Sequence, residues 1–261
     1  MKPVRADNTK YEEYEELLLE RDRLRKEAGQ IWTLYVKTFG QLMTDFFEEK
    51  IACIRQKKLL AYYQAAVNRG EPIDPNALEE KLEQEMASYQ AELRRMIREH
   101  KECAEAGTST YYEAERSKIL YRRLAKLLHP DIRPETDREE VLLQLWIRIT
   151  EAYGRSDVKA LAELEVLARK ALQDLSIDGT TSVEIPDLDE RIRQVREEIE
   201  DIKSREPYTY RALLEDDNAV EKKKQELTRE LETYRKYHQD LMDLTEKIIR
   251  EGGIRILWRM N

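Results

Sequence analysis

The 261-residue sequence predicts an all-α protein of long helical hairpins, and three observations carry that reading. Charged residues make up 38% of the chain, while apolar residues recur at steps of three and four, the spacing of one helix face. Glycine and proline are scarce, at eight and seven. A mean hydropathy of -0.78 suits solvated helices with narrow apolar seams better than a broad core. The net charge of -8 gives no global electrostatic case for nucleic acid or for an anionic membrane. Cys53 and Cys103 form no Cys-x-x-Cys pair and nothing resembles a signal peptide, so reduced thiols in a cytoplasmic protein are expected. The most apolar stretch, 31–47, contains Lys37 and Asp45 and is too short and polar to span a bilayer.

Residues 1–106 read as an N-terminal helical hairpin. A first helix over about 8–68 carries Leu17, Leu24, Ala28, Ile31 and Tyr35 along one side, and Gly40 is a candidate bend or break. Beyond it, Leu42, Met43, Phe46, Phe47, Ile51 and Ile54 form a wider apolar face. Gly70 can end this helix, with Asp74 capping and Pro75 opening the next. The next helix bears Leu78, Leu82, Met86, Tyr89, Leu93 and Met96 on one stripe, and the short turn implies antiparallel arms. The first arm is the longer, so the early seam around Leu17 and Ile31 needs cover from a later segment or from a second copy in a homodimer.

Gly107 opens a segment over 107–176. Thr110-Tyr-Tyr-Glu113 has the form of a capping box and predicts one helix over 111–128. Tyr121, Leu124, Ala125 and Leu128 lie on its apolar side, and Arg122, Arg123 and Lys126 on another face. Pro130 lacks an amide hydrogen and disfavours helical backbone at His129, so the helix should stop at Leu128 and leave His129-Pro130-Asp131 on an exposed turn. Thr136-Asp-Arg-Glu139 repeats the box before a helix with Trp146, Ile149, Ala152 and Tyr153 facing back, and Gly154 offers its stop. Ser156 is a cap for a further helix with Val158, Leu161, Leu164, Ala168 and Leu172 inward.

The rest, 177–250, reads as a polar linker followed by an antiparallel coiled-coil hairpin. Asp187 caps a helix with a heptad seam of Leu188, Ile192, Val195, Ile199 and Ile202. Pro207 breaks it, and a second seam follows through Val220, Leu227, Leu231, Tyr234, Leu241 and Ile248, with Leu213 and Leu214 available to cover the tip. The overhang of this second arm is a candidate cover for the first helix. An apolar tail, 251–261, either docks on the body or binds a partner.

The basic helix running into His129-Pro130-Asp131, followed by a helix closing on Ala152-Tyr153, resembles the J-domain of DnaJ-type co-chaperones. The resemblance covers about 111–168. It implies an antiparallel helix pair whose loop binds a DnaK-type heat-shock ATPase and stimulates it. Asp131 would accept a cation of that partner, His129 and Pro130 would hold the loop, and Arg122, Arg123 and Lys126 would supply steering and exposed, salt-sensitive ion pairs. None of these residues would act on ATP, so the chain would be no enzyme and would need no cofactor. The short first helix of the family is absent, and the helix ending near Lys101 is a candidate replacement. So are the Gly/Phe-rich region and the zinc-binding cysteines of full DnaJ, which leaves clients or partners to the coiled coils.

Other residues carry no stronger reading. Glu99, His100 and Cys103 share a helical face but lack the further ligands that structural zinc requires. His238 is a polar seam residue, and no phosphate loop, nucleophile elbow or His-Glu-x-x-His motif occurs. The competing reading is a coiled-coil scaffold in which the J-like segment is structural only.

Overall fold

The computed structural model describes residues 5–107, 109–177 and 187–252, and the described residues form nine helices. The first, α1, runs unbroken over Arg5–Arg69 through Gly40. The remainder are α2 (Pro75–Glu105), α3 (Tyr111–Leu128), α4 (Glu135–Arg138), α5 (Glu140–Gly154), α6 (Val158–Asp174), α7 (Leu188–Ser204), α8 (Tyr210–Leu214) and α9 (Asp217–Glu251). The fold is all-α. Among the described residues no helix is long and apolar enough to cross a membrane. Most of the linker expected after α6 and the tail from residue 253 lie outside the described residues.

The helices divide into two compact units, each discontinuous in sequence. One takes the residues through Trp32 with Gly107–Arg211, and the other takes Thr33–Ala106 with the residues from Ala212 onward. This division cuts α1 and the expected C-terminal hairpin, whereas the sequence suggested consecutive blocks at 1–106, 107–176, 177–250 and 251–261. Partners drawn from distant parts of the chain are the physical reason.

The first unit centres on α3, α5 and α6. Leu120, Tyr121, Leu124, Ala125 and Leu128 of α3 close on Leu142, Leu145, Ile149, Ala152 and Tyr153 of α5, and on Leu161, Leu164, Ala168 and Leu172 of α6. Tyr121 stacks on Tyr153 with centroids 3.9 Å apart, while His129 at the end of α3 meets Trp146 earlier in α5. The two helices are therefore antiparallel. Leu19 of α1 packs against this core.

A second cluster answers what covers the early seam of α1. Tyr14, Leu18 and Leu24 pack with Ile132 and with Ile192, Val195 and Ile199 of α7. The α7 seam expected to close on the C-terminal helix is thus occupied by α1. The buried stripe also passes through Tyr14 and Leu18 in place of Leu17, which is only partly covered. Lys10 pairs with Asp189 and Glu13 with Arg196, so α1 and α7 run in the same direction.

Local signals decide several helix ends. In α3 the Thr110 hydroxyl accepts from the Glu113 amide and the Glu113 carboxylate accepts from the Thr110 amide, the expected reciprocal box. The second expected box does not form. Thr136 is buried in the single turn α4, and Glu139 precedes α5 without a side-chain cap. At the end of α5 the left-handed residue is Ser156, at φ 56°, rather than Gly154, and Asp157 caps α6 by accepting from the Ala160 amide. Asp187 precedes α7 in left-handed backbone and makes no capping hydrogen bond.

In the second unit, the later part of α1 pairs with α2 as an antiparallel hairpin. Asp74 caps α2 and Gly70 adopts a positive φ, as the sequence requires. Gly40 does not break α1; a Cβ there would stand 2.6 Å from Cδ2 of His100, so the missing side chain makes room for an imidazole. Arg55 and Lys58 pair with Glu79 and Glu85. Only Leu82 and Met86 of the expected α2 stripe are buried. In α9, Leu227, Leu231 and Leu241 are buried, Tyr234 meets Phe46 edge-on, and His238 stands 2.7 Å from Glu49 of α1.

Candidate functional site

Pro130 ends α3 as expected: His129 is its C-cap in extended backbone, and its amide donates to Ala125 O. The chain then turns about the His129 carbonyl, which accepts from the amides of Ile132 and Arg133. Ile132 anchors the loop in the second apolar cluster. The histidine is not exposed, contrary to the expectation for this turn. It is 3% exposed, edge-on to Trp146, because that ring and α1 close over it. Pro130 is partly covered, and the Asp131 side chain keeps 39% of its surface.

The residues closing over the loop are Arg21 and Asp22 of α1. Arg21 Nη1 donates to Asp131 Oδ2 at 3.1 Å and to Glu198 Oε2 at 3.4 Å, while Nε and Nη2 reach Asp22 Oδ1 at 3.2 Å. The second Asp22 oxygen accepts from the Tyr121 hydroxyl at 2.7 Å. The Asp131 amide donates to His129 Nδ1 at 3.1 Å, while Nε2 lies 3.2 Å from Arg21 Nη2 and 3.4 Å from Asp22 Oδ2. Asp131, His129 and Tyr121 are thereby fastened to two consecutive residues of α1.

Charge balance makes this clasp tenable away from water. Burial opposes ionisation of Asp22, but the His129 hydrogen bond and the charges of His129 and Arg21, with Tyr121, outweigh it and hold the carboxyl below its ordinary range. Burial likewise works against the Arg21 cation, and Asp22, Asp131 and Glu198 overcome it and raise the guanidinium pKa. Burial and the neighbouring Asp22 push the Tyr121 phenol upward, and the Tyr153 phenol up to about 12. Beside them, burial lowers Lys26 to about 8; its Nζ sits 4.0 Å over the Tyr153 ring and 3.2 Å from Ser117 Oγ.

The basic residues of α3 are also partnered within the chain. Arg122 faces Glu16 at 3.5 Å, and Lys126 stands 2.7 Å from Glu15 Oε1, an ion pair out of line for a hydrogen bond. Arg123 pairs with Glu165 of α6 at 3.3 Å. The cations remain about half exposed, whereas Glu15 and Asp22 each keep 11% of their side-chain surface. The structure thus gathers Arg122, Lys126, His129 and Asp131 against α1 while Arg123 faces α6, and it adds Glu15, Glu16, Arg21, Asp22, Glu165 and Glu198, which sequence reasoning missed. The acidic run 12–16 was the available signal, though alone it reads as a solvated face.

Among the described residues no group of three or more His, Cys, Asp or Glu could hold a metal ion. His100 packs against Gly40, which accounts for it without a ligand role. Comparison with family models, with curated proteins and with solved structures finds no match for the chain. What the fold and the site define is an all-α protein with a basic helix and a His-Pro-Asp loop clasped by a distant helix. The likeness to J-domains therefore rests on the sequence motif around His129-Pro130-Asp131 alone.

Proposed function

We propose that the chain is a J-type co-chaperone that binds a DnaK-type heat-shock ATPase in the cytoplasm and stimulates its ATP hydrolysis. The reading is carried by one observation. An antiparallel α3–α5 pair presents half-exposed Arg122, Arg123 and Lys126 on a helix that ends directly at a partly exposed Asp131. A cationic helix with a carboxylate at its tip suits a partner offering acids along one stretch and a cation beyond it. The chain contributes no chemistry to ATP; it biases the conformation of an enzyme. Other helical surfaces would hold the client or partner.

Single-turnover ATP hydrolysis by a DnaK from the same organism tests this, with Asp131→Asn as control. The amide keeps an acceptor for Arg21 but loses the charge, so stimulation should vanish with helicity by circular dichroism intact. A second reading is favoured by the burial of His129 and the Arg21–Asp131 bond: a helical scaffold in which the loop is an internal fastening. On that reading the folded wild type gives no stimulation and Asp131→Asn changes stability alone.

A further inference from the structure

We infer that residues 11–31 of α1 are an autoinhibitory strap, competing in cis with the ATPase partner for the α3 and loop surface. The inference rests on the co-chaperone reading and adds its regulation. One helix answers four of the six expected contact residues with opposite or complementary groups. Glu16 meets Arg122, Glu15 meets Lys126, Asp22 meets His129, and Arg21 meets Asp131. These are not stray surface pairs: Arg21 keeps 8% of its side-chain surface, and Asp22 also binds the buried Tyr121. The cation that Asp131 would take from a partner is already supplied by this chain.

Lifting the strap lays bare Tyr14, Leu18 and Leu24 together with Ile132, Ile192, Val195 and Ile199. Exposing that much apolar surface keeps the open form to a small minority, on the order of one molecule in a thousand or fewer. Apparent affinity for the partner falls by that same fraction, because only the open form binds. Whatever displaces α1 from α7 therefore switches the site on. The control element is the α1–α7 seam, not the loop.

The test pins or loosens that seam without touching the loop. In a Cys53→Ala, Cys103→Ala chain, Glu13→Cys and Arg196→Cys replace an ion pair between α1 and α7, and a short bismaleimide bridges them. Leu24→Ala, which shortens a fully packed side chain, supplies the loosened form, its fold checked by circular dichroism. Binding to the ATP-loaded DnaK-type partner and single-turnover hydrolysis are both read. We expect bridging to depress both relative to the unbridged protein, and Leu24→Ala to bind about tenfold tighter or more. Equal activity of bridged and unbridged protein, with Asp131→Asn inactive, would overturn the strap and leave the co-chaperone reading standing. No binding or stimulation by any form, Leu24→Ala included, would overturn both.

Discussion

The first part of α1, through Trp32, and its remainder from Thr33 are one helix in two chemical settings. The first buries charge: Arg21 is held by Asp22, Asp131 and Glu198, and Glu15 faces Lys126. The second meets its partners through ordinary packing around Phe39 and Ile51, with ion pairs such as Arg55–Glu79 left largely in water. Helix formation itself needs neither arrangement. Burying a guanidinium among three carboxylates costs desolvation that apolar packing would avoid, which marks the first part as the place where specificity is built.

Removing the cations is the hardest blow to that contrast. Arg21→Met should cost roughly 3–5 kcal/mol, because it strands Asp22 and Asp131, whereas Arg55→Met should cost about 1 kcal/mol or less. Urea midpoints compare them directly, and equal shifts would erase the distinction. The glycines offer a sharper probe. Gly40→Ala should destabilise by about 1–3 kcal/mol by pushing a methyl group into His100, with much of the loss restored in Gly40→Ala, His100→Ala. Gly29→Ala meets nothing within 4 Å and should stabilise by up to about 1 kcal/mol through helix propensity, so thermal melts of the two should move in opposite directions.

Acid should expose a smaller asymmetry. The Asp22 carboxyl titrates in the folded protein below its ordinary 3.8, so it binds its proton more readily when unfolded. Its stabilising contribution is complete above about pH 3.8 and is lost as pH falls through the lower folded value. Asp22→Asn should therefore flatten the acid limb of a stability–pH curve, read from urea midpoints between pH 6 and 2. An unchanged limb would remove Asp22 from the clasp.

What the sequence made legible depended on how far each cause reached. The bounds of α3 at 111 and 128 follow from Thr110 with Glu113 at one end and Pro130 at the other, all local. The heptad seam of α7 revealed that a partner exists, but α1 and α9 both offer matching stripes, and packing chose α1. The Thr136 box is missing because that residue is buried inside α4 instead of standing at a helix start. At the site, the six residues near His129 could be named from the motif. The burial of His129 and the tie to Asp131 could not, since Arg21 and Asp22 lie more than a hundred positions upstream and nothing local pairs them.

Trp146 lies edge-on to His129, with ring centroids 4.8 Å apart, and 5.8 Å from Tyr121. That indole is a built-in optical reporter of the loop. With Trp32→Phe and Trp258→Phe removing the other two emitters, the fluorescence of a single native residue would follow the loop's surroundings in real time. Stopped-flow mixing with a partner could then separate the moment of encounter from the moment the histidine loses its cover.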